Sequence, residues 1–284
     1  MTSKNRILVT SGTGKTGRRI VEQLGAQNYP VRIGSRSAEP SFDWWDASTW
    51  QAALADVGTV YIAYQPDLAV PTAVDTIRAF TALAVASGVG RLVLLSGRGE
   101  DGAEECEQIV QNSGVLWTIL RAGWFFQNFS ESFLLDSVLS DTVYLPTGDI
   151  KEPFIDADDI ADVAIAALTE DGHASQLYEL TGSRLITFAE AVAEIAEATG
   201  RQIDYIQMPI DDYIGALEAA QLPADIIWLM RYLFTTVLDG RNAYVTDGVQ
   251  RALGRPPRDF WAYVHATALT GVWAVPDSVA KVAP

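Results

Sequence analysis

Apolar positions in the first half of the chain fall into two alternating patterns. Arg6–Thr10, Pro30–Ser35, Thr59–Tyr64, Arg91–Ser96 and Val115–Arg121 are short, nearly continuous apolar runs, the signature of strands buried on both faces. Between them, Thr16–Ala26, a segment near Ser48–Ala55, Ala69–Ser87 (closed by Gly88) and Gly102–Asn112 repeat their apolar residues at helical spacing. Ser41–Trp44 predicts one further short strand. Strands alternating with amphipathic helices predict an α/β fold: a doubly wound parallel sheet with ligands held at the carboxyl ends of its strands.

The second half is less regular. Asp156–Leu168 reads as a helix and Gln176–Leu180 as a strand. Thr187–Thr199 has a clear helical period, with Thr187 and Glu190 spaced as a capping box. Ile203–Met208 predicts a strand; Pro209–Ala220, Pro223–Leu238, Thr246–Leu253 and Asp259–Leu269 predict helices. The expected organisation is a doubly wound, Rossmann-like α/β domain over 1–155 and a smaller, mostly helical lobe over 156–284, packed closely enough to act as one domain. There is no internal repeat and no low-complexity linker.

The first strand runs directly into Ser11-Gly12-Thr13-Gly14-Lys15-Thr16-Gly17, which opens the first helix. Gly12, Gly14 and Gly17 fit the G-x-G-x-x-G dinucleotide fingerprint. One glycine makes the tight turn, one lets the backbone approach a pyrophosphate, and one lets helix and strand pack closely. The helix amino terminus presents unpaired N–H groups and a positive dipole end, so Thr13, Lys15 and Thr16 join the glycines as expected phosphate contacts. Gly14-Lys15-Thr16 also looks like the tail of a P-loop, but that motif requires a glycine where Val9 stands inside the strand.

Charge and composition narrow the picture. Asp plus Glu number 36 against 20 Lys plus Arg, a net charge of −16 that argues against nucleic acid or an anionic membrane as partner. Cys106 is the only cysteine, which excludes an intramolecular disulfide and a cysteine-held zinc. The two histidines, His173 and His265, are too far apart in sequence for a local metal motif. No apolar run approaches the roughly 20 residues needed to span a bilayer. Met1–Arg6 leads into the first strand without the pattern of a signal peptide, so a cytoplasmic location is expected. No motif specifies an oligomeric state.

Several segments carry a family likeness: Val9–Gly17, Gly34-Ser35-Arg36-Ser37, Phe42-Asp43-Trp44, Leu94-Leu95-Ser96, Trp117–Arg121 with Trp124–Phe129, Phe154–Ala161, and Thr246–Val249 with Leu253–Pro257. On these the chain resembles the NmrA-like, atypical short-chain dehydrogenase/reductase group. That group includes quinone reductases, isoflavone-reductase-like and festuclavine-dehydrogenase-like enzymes, and redox-sensing regulators. The resemblance implies a nicotinamide cofactor and a small-molecule acceptor. The chain departs from the family at Ser11, where a glycine is usual; Gly12 and Gly14 are expected to keep the turn open.

The end of the second strand bears on which nucleotide binds. Gly34-Ser35-Arg36-Ser37 contains no acid to hold a ribose 2′-hydroxyl, and Arg36 with Ser35 suits a 2′-phosphate, so NADP(H) is expected in preference to NAD(H). The alternative for Arg36 is a solvated loop residue. Asp43 and Trp44 are candidates to border the adenine, or else a turn cap and a core tryptophan.

None of the ten tyrosines has lysine four residues later, so the Tyr-x-x-x-Lys acid of ordinary ketone reduction is missing. Nicotinamide chemistry can dispense with it where the acceptor is a quinone, a conjugated carbonyl or an iminium ion. Three segments are expected to line the reacting end: Tyr64-Gln65-Pro66, Ser96-Gly97-Arg98 and Ala122–Asn128. Tyr64 and Ser96 are expected to contact the cofactor and to be the catalytic residues, their hydroxyls holding an acceptor oxygen, against roles in capping or backbone satisfaction. Arg98 could orient an anion or be a surface residue. Gly97, Trp124, Phe125, Phe126 and Asn128 complete the expected wall for a planar aromatic ligand, although aromatic clusters also build cores. Asp156, Asp158 and Asp159 are expected to cap a helix, and Cys106 to be structural. The expected activity is reduction of a quinone-like aromatic substrate, with net oxygenation in a natural-product pathway as a variant. The alternatives are iminium or enone reduction, and a non-catalytic nucleotide sensor acting on a partner protein.

Overall fold

A computed structural model describes residues 6–275. Met1–Asn5 of the amino-terminal segment read above, and the last nine residues of the expected lobe, lie outside them. In chain order the strands are β1 (Arg6–Thr10), β2 (Val31–Gly34), β3 (Val57–Ile62), β4 (Arg91–Gly97), β5 (Leu116–Ala122), β6 (Thr142–Leu145), β7 (Lys151–Glu152), β8 (Gln176–Leu180), β9 (Ile186–Thr187) and β10 (Asp204–Gln207). The helices are α1 (Lys15–Ala26), α2 (Trp50–Ala53), α3 (Ala73–Ala86), α4 (Asp101–Gln111), α5 (Leu135–Leu139), α6 (Ala157–Thr169), α7 (Phe188–Thr199), α8 (Ile210–Ala219), α9 (Ala224–Tyr232), α10 (Gly248–Leu253) and α11 (Phe260–Leu269).

Six strands form one sheet in the order β2-β1-β3-β4-β5-β8, and every pairing is parallel. Alternate residues of each strand serve opposite faces. In β1, Ile7 and Val9 pack with Ile20, Leu24, Ile160 and Val163 of α1 and α6. Leu8 points the other way, into a cluster with Ile77 and Phe80 of α3 and Val110 of α4. The residues of both layers are buried, and each fully buried Ile, Leu or Phe contributes about 1.5–3 kcal/mol by leaving water. The order reverses at β1, which places a crevice at the carboxyl ends of β1 and β3, where ligands bind in such sheets.

The lobe is built around an aromatic core of Phe126, Phe129, Phe154, Phe188, Phe260 and Trp273. It does not begin at residue 156. α6 packs on α1 and the sheet, β8 completes the sheet, and α10 returns to cover β8 and α6. The expected division at 155/156 is therefore replaced by an interleaved one, because the lobe draws α5, β6 and β7 from before that boundary.

Other expectations shift for local reasons. Ser41–Trp44 is not a sheet strand; Asp43 makes one isolated bridge to Asp46. Asp46 accepts from the Ser48 amide at 3.0 Å and turns the chain, while Phe42 and Trp44 go into the core against Phe80. The helix expected from Ala69 starts at Ala73, just after Pro71, whose missing N–H is tolerated at a helix start. The Thr187–Glu190 capping box is present in both directions, at 3.0 and 2.7 Å. The helix expected to run to Leu238 changes to a π-helical turn at Leu233–Val237.

The tightest point of the fold is the start of α1. A Cβ at Gly17 would stand 2.8 Å from the Cα of Gly12 and collide with the carbonyl of Ser11. Gly25, in the same helix, has open space around it. Gly17→Ala should lower stability by about 1–3 kcal/mol, read as a fall in the urea midpoint at unchanged slope. Gly25→Ala should be neutral or stabilising by up to about 1 kcal/mol. Equal midpoints for Gly17→Ala and the parent would refute the close packing.

Candidate active site

The site begins with how the β1–α1 turn is held. The Gly12 amide donates to the Gly34 carbonyl at 3.0 Å, and the Gly14 amide to the Ser11 carbonyl at 2.8 Å. Ser11 has a positive φ of 49°, a conformation that favours glycine. Its hydroxyl donates to the Ala63 carbonyl at 2.8 Å, tying the end of β1 to the end of β3. Thr10 Oγ1 reinforces that tie, accepting from the Ala63 amide at 2.9 Å. The Tyr61 hydroxyl donates to Thr16 Oγ1 at 3.0 Å. Gly14 is the N-cap of α1 and no side chain caps that terminus. The helix start is thus rigidly placed, with its amide dipoles uncompensated by any acidic residue in the first turn.

A cavity of about 440 Å³ opens on this terminus. Ser11, Gly14, Lys15 and Thr16 form one end. Residues at the carboxyl ends of β3, β4 and β5 form the floor, and Ile226, Leu229, Met230, Leu233 and Val237 close the far side. Burial lowers the Lys15 ammonium below its ordinary value, with Glu131 opposing. Gly12, Thr16 and Gly17 are buried in the turn, and Thr13 is exposed.

Of the other residues expected at the site, Tyr64, Ser96, Gly97, Arg98, Trp124, Phe125 and Asn128 line the cavity. Trp124 stacks on Phe234, ring centroids 5.4 Å apart, which fixes the indole as a flat wall. Neither the Tyr64 hydroxyl nor the Asn128 amide has a hydrogen-bond partner among the described residues, so both are available to a ligand.

Four expectations need correction. Ser96 cannot donate to an acceptor oxygen as it stands, because its hydroxyl donates to Glu107 Oε1 at 2.6 Å. Glu107 is in turn held by Arg121. Arg98 is neither on the surface nor free to orient an anion: it is 1% exposed, donates to Glu179 at 2.7 Å and to the Asn242 carbonyl, and lies over the Tyr244 ring. Phe126 is in the lobe core against Phe260, away from the cavity wall. Trp44 is also in the core, its indole N–H donating to the Ala63 carbonyl, and Asp43 accepts from the Trp45 amide as a turn cap. Ser35 and Arg36 sit at the end of β2, outside the cavity. Arg36 is exposed, and the Ser35 and Ser37 hydroxyls are 3.3 Å apart.

Sequence reasoning missed three acids. Asp67 and Glu100 line the cavity beside Gly97. Glu152 is 1% exposed, beneath Gly123, with Oε1 lacking a hydrogen-bond partner. The available signal was position, since Asp67 and Glu100 follow the ends of two apolar strands, where ligands bind. A search for tyrosine and lysine passes over them.

Comparison with known proteins agrees with this geometry. The NAD(P)H-binding family matches residues 12–171, and the NmrA-like family matches residues 102–252. The chain belongs to the NmrA-like group of atypical short-chain dehydrogenases/reductases. Among NmrA-like relatives, an uncharacterized oxidoreductase of Bacillus subtilis, YesF, is 32% identical over 96% of this chain and 99% of its own. Agroclavine dehydrogenase of Claviceps fusiformis is 31% identical over 95% and 99%. An NADPH-dependent quinone oxidoreductase from Escherichia coli, crystallised with NADPH, shares the fold with a TM-score of 0.76 at 21% identity, covering 92% of this chain and 99% of that one. This NmrA-like chain is accordingly an NAD(P)H-dependent oxidoreductase by family, and no helix among its described residues is long and apolar enough to cross a membrane.

Burial pushes the Glu152 carboxyl up to about 7, against the opposing charge of Arg98. The folded state then keeps a proton that the unfolded chain gives up near 4.5, so this contribution to stability is complete at low pH. It is lost as pH rises through about 7. For Glu152→Gln, stability relative to the parent should rise by about 2 kcal/mol between pH 5 and pH 8, measured by urea unfolding. A parallel pH dependence in the two proteins would show that Glu152 ionises normally.

Proposed function

We propose that this protein is a cytoplasmic, NADPH-dependent reductase of a planar, electron-poor small molecule, a quinone by preference. The observation that carries the reading is continuity: the uncapped start of α1 and the aromatic wall at the strand ends belong to one cavity. The site suits a dinucleotide. Side chains are excluded at Gly12 and Gly17, and the close turn puts backbone amides at the helix start where a pyrophosphate would lie. Gly14, Lys15 and Thr16 would hold the pyrophosphate, and Asn128 has an unpaired amide for a polar group of the nucleotide or acceptor. When bound, the reduced nicotinamide supplies a hydride equivalent.

The chain's own residues bind and orient. Trp124, Phe125 and Phe133 give flat apolar area to a planar acceptor, and the Tyr64 hydroxyl can donate to its oxygen. Apolar side chains of α9 and the π-helical turn line the cavity and would displace water beside a bound acceptor. Because no Tyr-x-x-x-Lys pair is present, acceptors that accept hydride readily are favoured over simple ketones. Direct reaction of a reduced polycyclic product with oxygen would give net oxygenation, as in aromatic natural-product tailoring.

A second enzymatic reading, reduction of an iminium ion or enone, is supported by similarity to agroclavine dehydrogenase over nearly the whole chain. A sensor without chemistry is less well supported, because the aromatic residues after β5 face a cavity and not an exposed contact surface. The purified protein should oxidise NADPH with quinones, and oxygen-dependent change of the organic product would favour the oxygenation variant. NADPH binding without oxidation by quinones, enones or cyclic iminium ions would sink the reductase reading.

Arg36, with Ser35 and Ser37, supports a preference for the 2′-phosphate of NADP(H). Arg36→Ala should raise the Kd for NADPH about tenfold, the loss of roughly one charge-assisted hydrogen bond, and leave NADH unchanged in calorimetric titration. Equal effects on both nucleotides would contradict that role.

A further inference from the structure

The reductase reading leaves one chemical need unmet. A carbonyl acceptor that gains a hydride must also gain a proton. Ser96, whose hydroxyl is held by Glu107, cannot give one. The Tyr64 hydroxyl can hydrogen-bond to the acceptor oxygen but has no hydrogen-bonded group behind it, among the described residues, to replace a proton it gave up. This inference rests on that reading.

Asp67 and Glu100 come from different elements, the loop after β3 and the turn before α4; both line the cavity, and their carboxyls lie within hydrogen-bonding reach of each other. Glu100 is 7% exposed, and its carboxyl packs so tightly on the Cα of Gly97 that no side chain larger than hydrogen fits there. Gly97 ends β4 immediately after Ser96, so this carboxyl lies at the strand end, where the reacting atoms are expected. As carboxylates, Asp67 and Glu100 could not donate to each other, and Glu100 Oε2 would be buried without a partner. One proton between them lets one carboxyl donate to the other, as in other close carboxyl pairs.

We propose that Glu100, sharing one proton with Asp67, is the acid that delivers a proton to the acceptor oxygen. The Glu100 O–H bond breaks and the acceptor O–H bond forms as the acceptor takes up hydride. The pair is left with one additional negative charge and regains its proton from water on the Asp67 side, the more accessible of the two.

The surroundings favour retention of the proton. Burial and the Asp67 carboxylate raise the Glu100 carboxyl well above the usual range, and Glu107 adds repulsion. Burial also raises Asp67, while the Ala69 amide donates to it at 2.9 Å and opposes the shift. Of the cationic groups nearby, Arg98 is paired with Glu179 and Arg241 with Asp239. The Tyr232 hydroxyl faces the pair from α9 but accepts from the Asp101 amide at 3.3 Å. None of these supplies an unpaired cation to draw the proton off.

The test compares Glu100→Gln and Asp67→Asn with the parent, using two acceptor classes: a quinone, which needs a proton, and a triarylmethyl cation, which takes hydride alone. The parent's kcat with quinone should fall as pH rises through the titration of the pair. In Glu100→Gln, the ratio of quinone to cation turnover should drop on the order of a hundredfold and the pH dependence should flatten. NADPH affinity should be unchanged, which also reports correct folding. Beside the band of Glu152, infrared spectra of the parent at neutral pH should contain a second protonated buried carboxyl band that is missing in Glu100→Gln, shifted in Asp67→Asn and retained in Glu152→Gln. An unchanged ratio and pH profile, or no such band, would overturn the donor role. A parent protein that reduces neither acceptor would overturn the reductase reading itself.

Discussion

The turn between β1 and α1 must bring the end of one strand, the start of a helix and the ends of two neighbouring strands into van der Waals contact. Everything else in the molecule is arranged around that requirement. Gly12 and Gly17 meet it by having no side chain, and the Gly12 amide is spent on the Gly34 carbonyl. The geometry leaves the first amides of α1 pointing into a cavity without a capping side chain. A site preorganised in this way needs no rearrangement to receive an anion. Ser11 shows how closely the turn is specified. It adopts a backbone conformation that costs a non-glycine residue about 1–2 kcal/mol, and its hydroxyl offsets this by joining β1 to β3.

From that fixed point the cavity follows the strand ends outward. Each strand end contributes its own groups: that of β3 a tyrosine hydroxyl and an acid, that of β4 a serine and an acid, and that of β5 the aromatic wall. The buried charges are sorted by pairing. Arg98 and Arg121 are matched by Glu179 and Glu107. Asp67, Glu100 and Glu152 have no matching cation within ion-pair distance among the described residues, and all three have carboxyls pushed upward by burial. Buried carboxyls without a cation partner are costly to keep for stability alone.

Much of this was legible in the sequence. The parallel sheet was readable because its strands are continuous apolar runs with helical periods between them. The glycine turn was readable because its spacing is dictated by contacts within a single βα unit. The capping box at Thr187 and Glu190 was readable for the same local reason. What failed depended on contacts distant in sequence. β8 looks like any short strand until its pairing with β5 is known, so its place in the chain alone puts it in the lobe. Trp44 and Phe126 are aromatic residues whose pattern fits a core or a ligand wall equally well, and tertiary packing put them in cores. Arg98 is polar in composition but buried in fact, because Glu179 and two carbonyls from the 242–244 loop satisfy it. The acids of the cavity were missed because nothing local distinguishes a buried carboxyl from a solvated one.

A crystal structure of the protein with NADPH tests the central claim most directly. The pyrophosphate should lie on the amino terminus of α1 over Gly14–Thr16, and the nicotinamide should enter the cavity beside Gly97, facing Trp124 and Phe125. A dinucleotide bound elsewhere, or one whose nicotinamide is sealed from the aromatic wall, would contradict the account.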